Sequence, residues 1–168
     1  MMAFLYDLIL LVLAGLFAGF INTMAGGGSL LTLPLMIFLG LPPATANGTN
    51  RVAIFVATGS AVFGFRTKKV TSFPFSIYLG VTALLGALIG ARIAIDIEGA
   101  LFNKILAIIM IVVVILMVVK PSYNADMLVP KTTGKTLAWS MIAFFFIGIY
   151  GGFINAGIGF IMMIFMSY

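Results

Sequence analysis

Gly19-Phe-Ile-Asn-Thr-Met-Ala-Gly-Gly-Gly-Ser-Leu-Leu31 comes back near the end of the chain as Gly152-Phe-Ile-Asn-Ala-Gly-Ile-Gly-Phe-Ile-Met162. The Gly-Phe-Ile-Asn core is identical, and glycine-rich sequence follows it both times. Both copies sit within strongly apolar sequence. An apolar helix interrupted at matching places in two related segments points to a transporter with its site at the interruptions. Asn22 recurs as Asn155, a spacing of 133 residues. That period divides the chain into one complete repeat, 1–133, and the opening of a second, 134–168.

Composition sets the solvent. Hydrophobic residues make up 63% of the chain and charged residues 8%, against roughly a quarter charged in a soluble domain. The fold class is therefore all-α and polytopic in a membrane, with broken or re-entrant helices. A plasma-membrane location follows for a multi-pass protein of this kind. The first apolar stretch lacks the basic flank and Ala-x-Ala site of a cleaved signal peptide. The net charge of +5 does not indicate nucleic acid, because the basic residues are scattered over helix ends and loops and build no basic face. Cysteine and histidine are absent, which removes thiol nucleophiles, imidazole shuttles and the usual zinc ligands. No carboxylate falls in mid-span. The reading is of a non-enzyme without cofactor or metal, whose partners are a small anionic substrate and the lipid bilayer.

The spans follow from apolar runs and their breakers. Phe4 to Met24 is the first, ended by Ala25-Gly26-Gly27-Gly28, since three glycines are costly to hold in a helix. Ser29 is expected to N-cap the next segment. Leu30 to Leu39 is too short to cross a bilayer, and Gly40-Leu41-Pro42-Pro43 stops it. Thr45 is expected to cap a helix to about Phe65, polar over Asn47-Gly48-Thr49-Asn50-Arg51 and apolar from Val52. Further spans run over about 75–94, 101–119 and 137–155. Arg66, Lys68 and Lys69 lie in one loop, and Lys120, Lys131 and Lys135 in another two spans later, with Asp96 and Glu98 between. The basic loops are expected in the cytoplasm. A re-entrant Leu30–Leu39 puts the N-terminus there too, whereas a full crossing puts it outside; the short length favours re-entry.

Gly26, Gly27, Gly28 and Ser29 form the first candidate site, a half-helix start whose free N–H groups attract an anion. The competing reading of the glycines is close helix packing, because Gly15 and Gly19, Gly86 and Gly90, and Gly148 and Gly152 are i,i+4 pairs suited to it. Asn22 and Asn155 each lie just before a break. Each amide either ties down unwound backbone or faces the substrate. Asn47-Gly48-Thr49-Asn50-Arg51 is the second polar cluster, with Thr49, Asn50 and Arg51 as its candidate site residues. A guanidinium below the membrane surface suits an oxyanion, while the alternative is snorkelling to the headgroups. Gly157 and Gly159 continue the site in the second copy. Arg92 is within reach of Asp96 one turn on. Gly134-Lys135-Thr136 imitates the end of a phosphate-binding loop, but Val129 stands where its first glycine is needed. Asn47-Gly48-Thr49 matches a glycosylation sequon in a segment that reads as buried.

Two stretches carry a family likeness. Gly19-Phe-Ile-Asn-Thr-Met-Ala-Gly-Gly-Gly-Ser-Leu-Leu-Thr-Leu-Pro34, followed by Gly40-Leu-Pro-Pro-Ala-Thr-Ala-Asn-Gly-Thr-Asn-Arg51, resembles the sulfite exporter TauE/SafE family, also called the toluene-sulfonate uptake permease family. The Gly-Ala-Arg92 ending of a later span and Gly151-Gly-Phe-Ile-Asn-Ala-Gly-Ile-Gly159 are similar to further family motifs. The resemblance implies a permease of about eight spans in two homologous halves, moving sulfite, thiosulfate or organosulfonates. By the internal period, the second counterparts of Pro42-Pro43 and Asn47–Arg51 would fall past Tyr168. Three alternatives stay open on that basis: a fragment, a truncated reading frame, or one part of a split transporter. The missing second half or a homo-oligomer is then the expected protein partner. A non-transporting membrane subunit is the competing function.

Overall fold

The computed structural model describes residues 2–69, 73–119 and 134–166. Lys120 and Lys131 of the second basic loop, with Pro121, Asn124, Asp126 and Pro130, lie outside the described residues, as does Val129. Among the described residues, seven helices follow one another: α1 (Met2–Ala25), α2 (Ser29–Phe38), α3 (Pro43–Thr67), α4 (Phe75–Asp96), α5 (Gly99–Val118), α6 (Lys135–Phe153) and α7 (Ile158–Met166). α1, α4, α5 and α6 are long and apolar enough to cross a membrane. α2 has 10 residues, about 15 Å of helix and half a bilayer. The protein is a multi-pass membrane protein. Leu13, Leu16, Phe17 and Phe20 of α1 are all at least 60% exposed, as side chains that face lipid must be.

Helix starts differ from the expectation in two places. α2 is N-capped by Gly28, without a side-chain cap bond. Ser29 is the first helical residue, and its hydroxyl is used elsewhere. α3 begins at Pro43 rather than at Thr45, with Pro42 as its N-cap. Proline suits that position because its ring presets φ and its missing N–H would have no intrahelical partner.

Small residues decide the tightest helix pair. Along α4 and α6 the two backbones approach closely. A Cβ on Gly86 or Gly90 would strike the carbonyl oxygens of Phe145 and Ile149, and one on Gly148 or Gly152 those of Ala83 and Ala87. Here the packing reading of the i,i+4 glycines holds, because only a missing side chain lets two helices touch through their backbones. Gly15 and Gly19 behave differently: a Cβ on either meets nothing within 4 Å.

The core lies where α2, α3, α4 and α5 meet the second break. Leu33, Met36, Ala46, Ala94, Phe102, Leu106, Ile154 and Ala156 form one buried cluster. Phe102 packs edge-on against Phe153 with ring centroids 5.9 Å apart. The second break is therefore embedded in protein on several sides, which is the condition for unwound backbone at membrane depth.

Candidate functional site

Two helix interruptions meet at the centre. α1 ends at Ala25 and α2 starts at Ser29. α6 ends at Phe153 and α7 starts at Ile158. Gly26 and Gly157 turn the chain at φ of 66° and 69°, the left-handed region that glycine enters without a side-chain penalty. The two breaks touch through glycine backbone: a Cβ on Gly159 would lie 2.5 Å from the Gly26 Cα. Gly28 in turn presses on the Ala18 carbonyl and the Asn22 side chain.

Ser29 joins the breaks. Its hydroxyl donates to the Asn155 carbonyl at 2.6 Å and accepts from the Gly157 N–H at 3.2 Å. Ser29 is 1% exposed. Two orphan backbone groups of the second break are thus satisfied by one side chain of the first. Tyr150 helps from α6, its hydroxyl donating to the Ala156 carbonyl at 2.6 Å.

The polar half of α3 lies against the same junction. Asn47 donates its amide to the Phe153 carbonyl at 3.0 Å. The Arg51 Nη2 group donates to the Gly152 carbonyl and to the Phe153 carbonyl at 3.3 Å. Arg51 therefore closes the C-terminus of α6, where carbonyls lack intrahelical donors and the helix dipole is negative. It does not snorkel. Asn50 is 1% exposed and accepts from the Thr32 hydroxyl at 2.5 Å. Three buried side-chain atoms here have no partner: the Asn50 Nδ2, the Arg51 Nε and the Asn47 Oδ1. A buried polar group left unpaired costs roughly 1–3 kcal/mol, so these two donors and one acceptor are the atoms of the junction with hydrogen-bonding capacity left over among the described residues.

Asn50 lines a cavity of about 60 Å³ together with Asn22, Gly28 and Thr32, the rest of the wall being small or apolar residues, among them Gly15, Ala18, Gly19 and Ile54. That is room for more than one water. The cavity adjoins a groove of about 350 Å³ between α1 and α3, lined by Phe20, Thr23, Met24, Ser60 and Ala61.

The site residues expected from the sequence thus divide. Gly26, Gly27, Gly28, Ser29, Asn155 and Gly157 are buried in the crossed breaks, with Gly159 beside them. Asn22 and Asn50 share the cavity. Arg51 reaches the other break instead, and Thr49 is exposed on a different side of α3. The two asparagines of the echo are not in equivalent positions. Asn22 is helical, three residues before the end of α1. Asn155 is unwound, two residues past the end of α6. Sequence reasoning missed Thr32, which could have been found as a polar residue one turn after Ser29 in an otherwise apolar half-helix. Asn47 reads from the sequence as part of the polar cluster of α3 but not as a site residue, and its side chain takes the Phe153 carbonyl. Asn47 is 3% exposed, so the sequon is not available for glycosylation in the folded chain.

The family described as sulfite exporter TauE/SafE matches residues 11–168. The chain belongs to the TauE/SafE family. Among curated relatives, a probable membrane transporter protein of Haemophilus influenzae is 29% identical over 155 residues, 92% of this chain and 60% of that protein. The probable membrane transporter protein ORF9 of a Sinorhizobium species is 27% identical over 154 residues, 92% of this chain and 58% of that protein. The probable membrane transporter protein YfcA of Escherichia coli is 28% identical over 149 residues, 89% of this chain and 55% of that protein. The chain thus spans little more than half the length of these relatives. No solved structure matches it.

Proposed function

We propose that this chain forms the anion-binding portion of a secondary permease for small sulfur-containing oxyanions, of the sulfite, thiosulfate or organosulfonate type. One observation carries the reading. The Asn50 Nδ2 is a buried donor without a partner, beside a cavity that Asn22 and Gly28 also line. An oxyanion leaving water needs donors on several sides and a positive charge nearby. Amide N–H groups from Asn50 and Asn22 supply the first. Arg51, next in the chain, does not line the cavity; its guanidinium, held on the end of α6, supplies the second as a nearby charge and not as a bond to the anion. The sulfur comes from family membership. The absence of histidine and cysteine from the sequence argues for translocation rather than catalysis.

The second reading is a non-transporting membrane subunit that needs a partner chain; this chain spans 60% of the Haemophilus influenzae relative. Flux of radiolabelled sulfite and thiosulfate into proteoliposomes separates the two. The first reading expects flux by the chain, lowered at least tenfold by Asn50→Leu in a variant that still folds. Flux that appears only when a second chain is added supports the subunit. Flux unchanged by Asn50→Leu removes the cavity from the transport path.

A further inference from the structure

Gly148 and Gly152 of α6 and Gly15 and Gly19 of α1 stand at the same places relative to the repeated Gly-Phe-Ile-Asn sequence. The first pair is filled, because α4 lies across it with Ala83, Ala87, Gly86 and Gly90 at the contact. The second pair faces open space. It borders both the Asn50 cavity and, through Gly19, the wider groove against α3. In lipid, helices associate by backbone approach at small residues rather than by hydrophobic burial. Helices that present the same two-glycine seat should therefore receive the same kind of helix.

We propose that the α1–α3 groove is the seat of one further transmembrane helix, with small residues at i,i+4 on its facing side as α4 has. Relatives carry sequence that could hold such a helix: the Haemophilus influenzae protein has 40% of its length outside the match. This chain's own α4 cannot serve, since α6 occupies its glycine face. The buried, unpartnered Asn50 Nδ2 gives the seat a second purpose. The cavity that Asn50 lines shares Gly19 and Ala57 with the groove, so a helix laid there would cover that side of the cavity. The inference rests on the glycine seats and the Asn50 cavity, whatever anion is carried.

The chain has no cysteine, so disulfide cross-linking tests this cleanly. The probe is a synthetic transmembrane peptide with the sequence of α4, residues 75–96, carrying Ala87→Cys. It is added to the full chain bearing Phe20→Cys, next to Gly19 in the groove, in lipid vesicles under mild oxidant. The expected result is chain–peptide cross-linking at least fivefold above that of a chain bearing Leu13→Cys, an exposed position on the same helix. Gly15→Leu combined with Gly19→Leu should abolish the excess; a Cβ at either position meets nothing within 4 Å, and circular dichroism of the double variant checks that the chain still folds. Equal cross-linking at both positions, or cross-linking that survives the two leucines, overturns the proposal. So does the absence of any cross-link, which means lipid fills the groove. Chain–chain disulfides in its place mean that a second copy does. None of these outcomes depends on flux, so the seat can fail while the transport reading stands, and the reverse.

Discussion

Ser29→Ala tests whether the two helix breaks are held together by one hydroxyl. The substitution removes an O–H···O bond of 2.6 Å to Asn155 and an N–H···O bond of 3.2 Å from Gly157. Alanine is as good a helix former as any, so the helix itself loses nothing. What remains is a carbonyl and an N–H with no partner, at a residue 1% exposed. Hydrogen bonds between membrane helices average about 0.6 kcal/mol and reach about 1.7. Orphaned buried groups cost about 1–3 kcal/mol each in proteins generally. Two such losses, partly relieved by backbone adjustment, come to about 2 kcal/mol, some thirtyfold in the folded-to-unfolded ratio. Reversible unfolding in mixed micelles measures it. Ser60→Ala is the control, because Ser60 bonds only to its own helix, at the Val56 carbonyl 2.9 Å away, and is exposed. Should Ser29→Ala unfold no more readily than Ser60→Ala, the hydroxyl bridge contributes nothing and the crossed breaks are held by packing alone.

Gly26→Ala and Gly159→Ala should each destabilise the chain by about 2 kcal/mol or more, because a side chain at either position meets backbone of the opposite break and small-to-large changes in packed interiors cost about 1–3 kcal/mol; Gly15→Ala, in open space, should be neutral or slightly stabilising in the same unfolding assay. Arg51→Gln should cost about 2 kcal/mol through the lost charge-assisted bonds to the end of α6, and Arg51→Lys less; a folded, fully stable Arg51→Gln chain would show that the guanidinium does not hold α6. For topology, Lys68→Cys should react with an impermeant thiol reagent only from the cytoplasmic side and Glu98→Cys only from outside, and labelling in the opposite sense reverses the orientation.

The helices and both interruptions were legible because their causes are local. Three consecutive glycines end α1, the paired prolines separate α2 from α3, and apolar runs set the span lengths to within a few residues. Partners across the fold were not legible. Arg51 reads as a free cation until α6 is placed beside it, and then its Nη2 is taken by the carbonyls of Gly152 and Phe153. Ser29 has the right chemistry for an N-cap, but a carbonyl in the other break claims its hydroxyl. Identical i,i+4 glycines gave no means of telling the pairs between α4 and α6, which are filled, from the pair on α1, which is open. The echo also suggested that Asn22 and Asn155 are equivalent, yet the second break opens about one turn earlier relative to the motif. Helix ends are set by which carbonyls find donors, and only the second copy has Asn47 and Arg51 at hand to end its helix early.

That grip of α3 on the end of α6 bears on how the protein is made. α3 is not among the helices that length and apolarity alone would send across a membrane. Its first half carries Asn47, Asn50 and Arg51, and the groups that satisfy Asn47 and Arg51 belong to residues 152 and 153. During synthesis those residues leave the ribosome about a hundred positions after α3, a delay of several seconds at roughly 5–20 residues per second. Until then Asn47 and Arg51 lack the carbonyls that take their hydrogen bonds. The expected outcome is that a nascent chain stopped before Lys135 leaves the polar half of α3 open to aqueous thiol reagents, while one extended past Gly159 protects it.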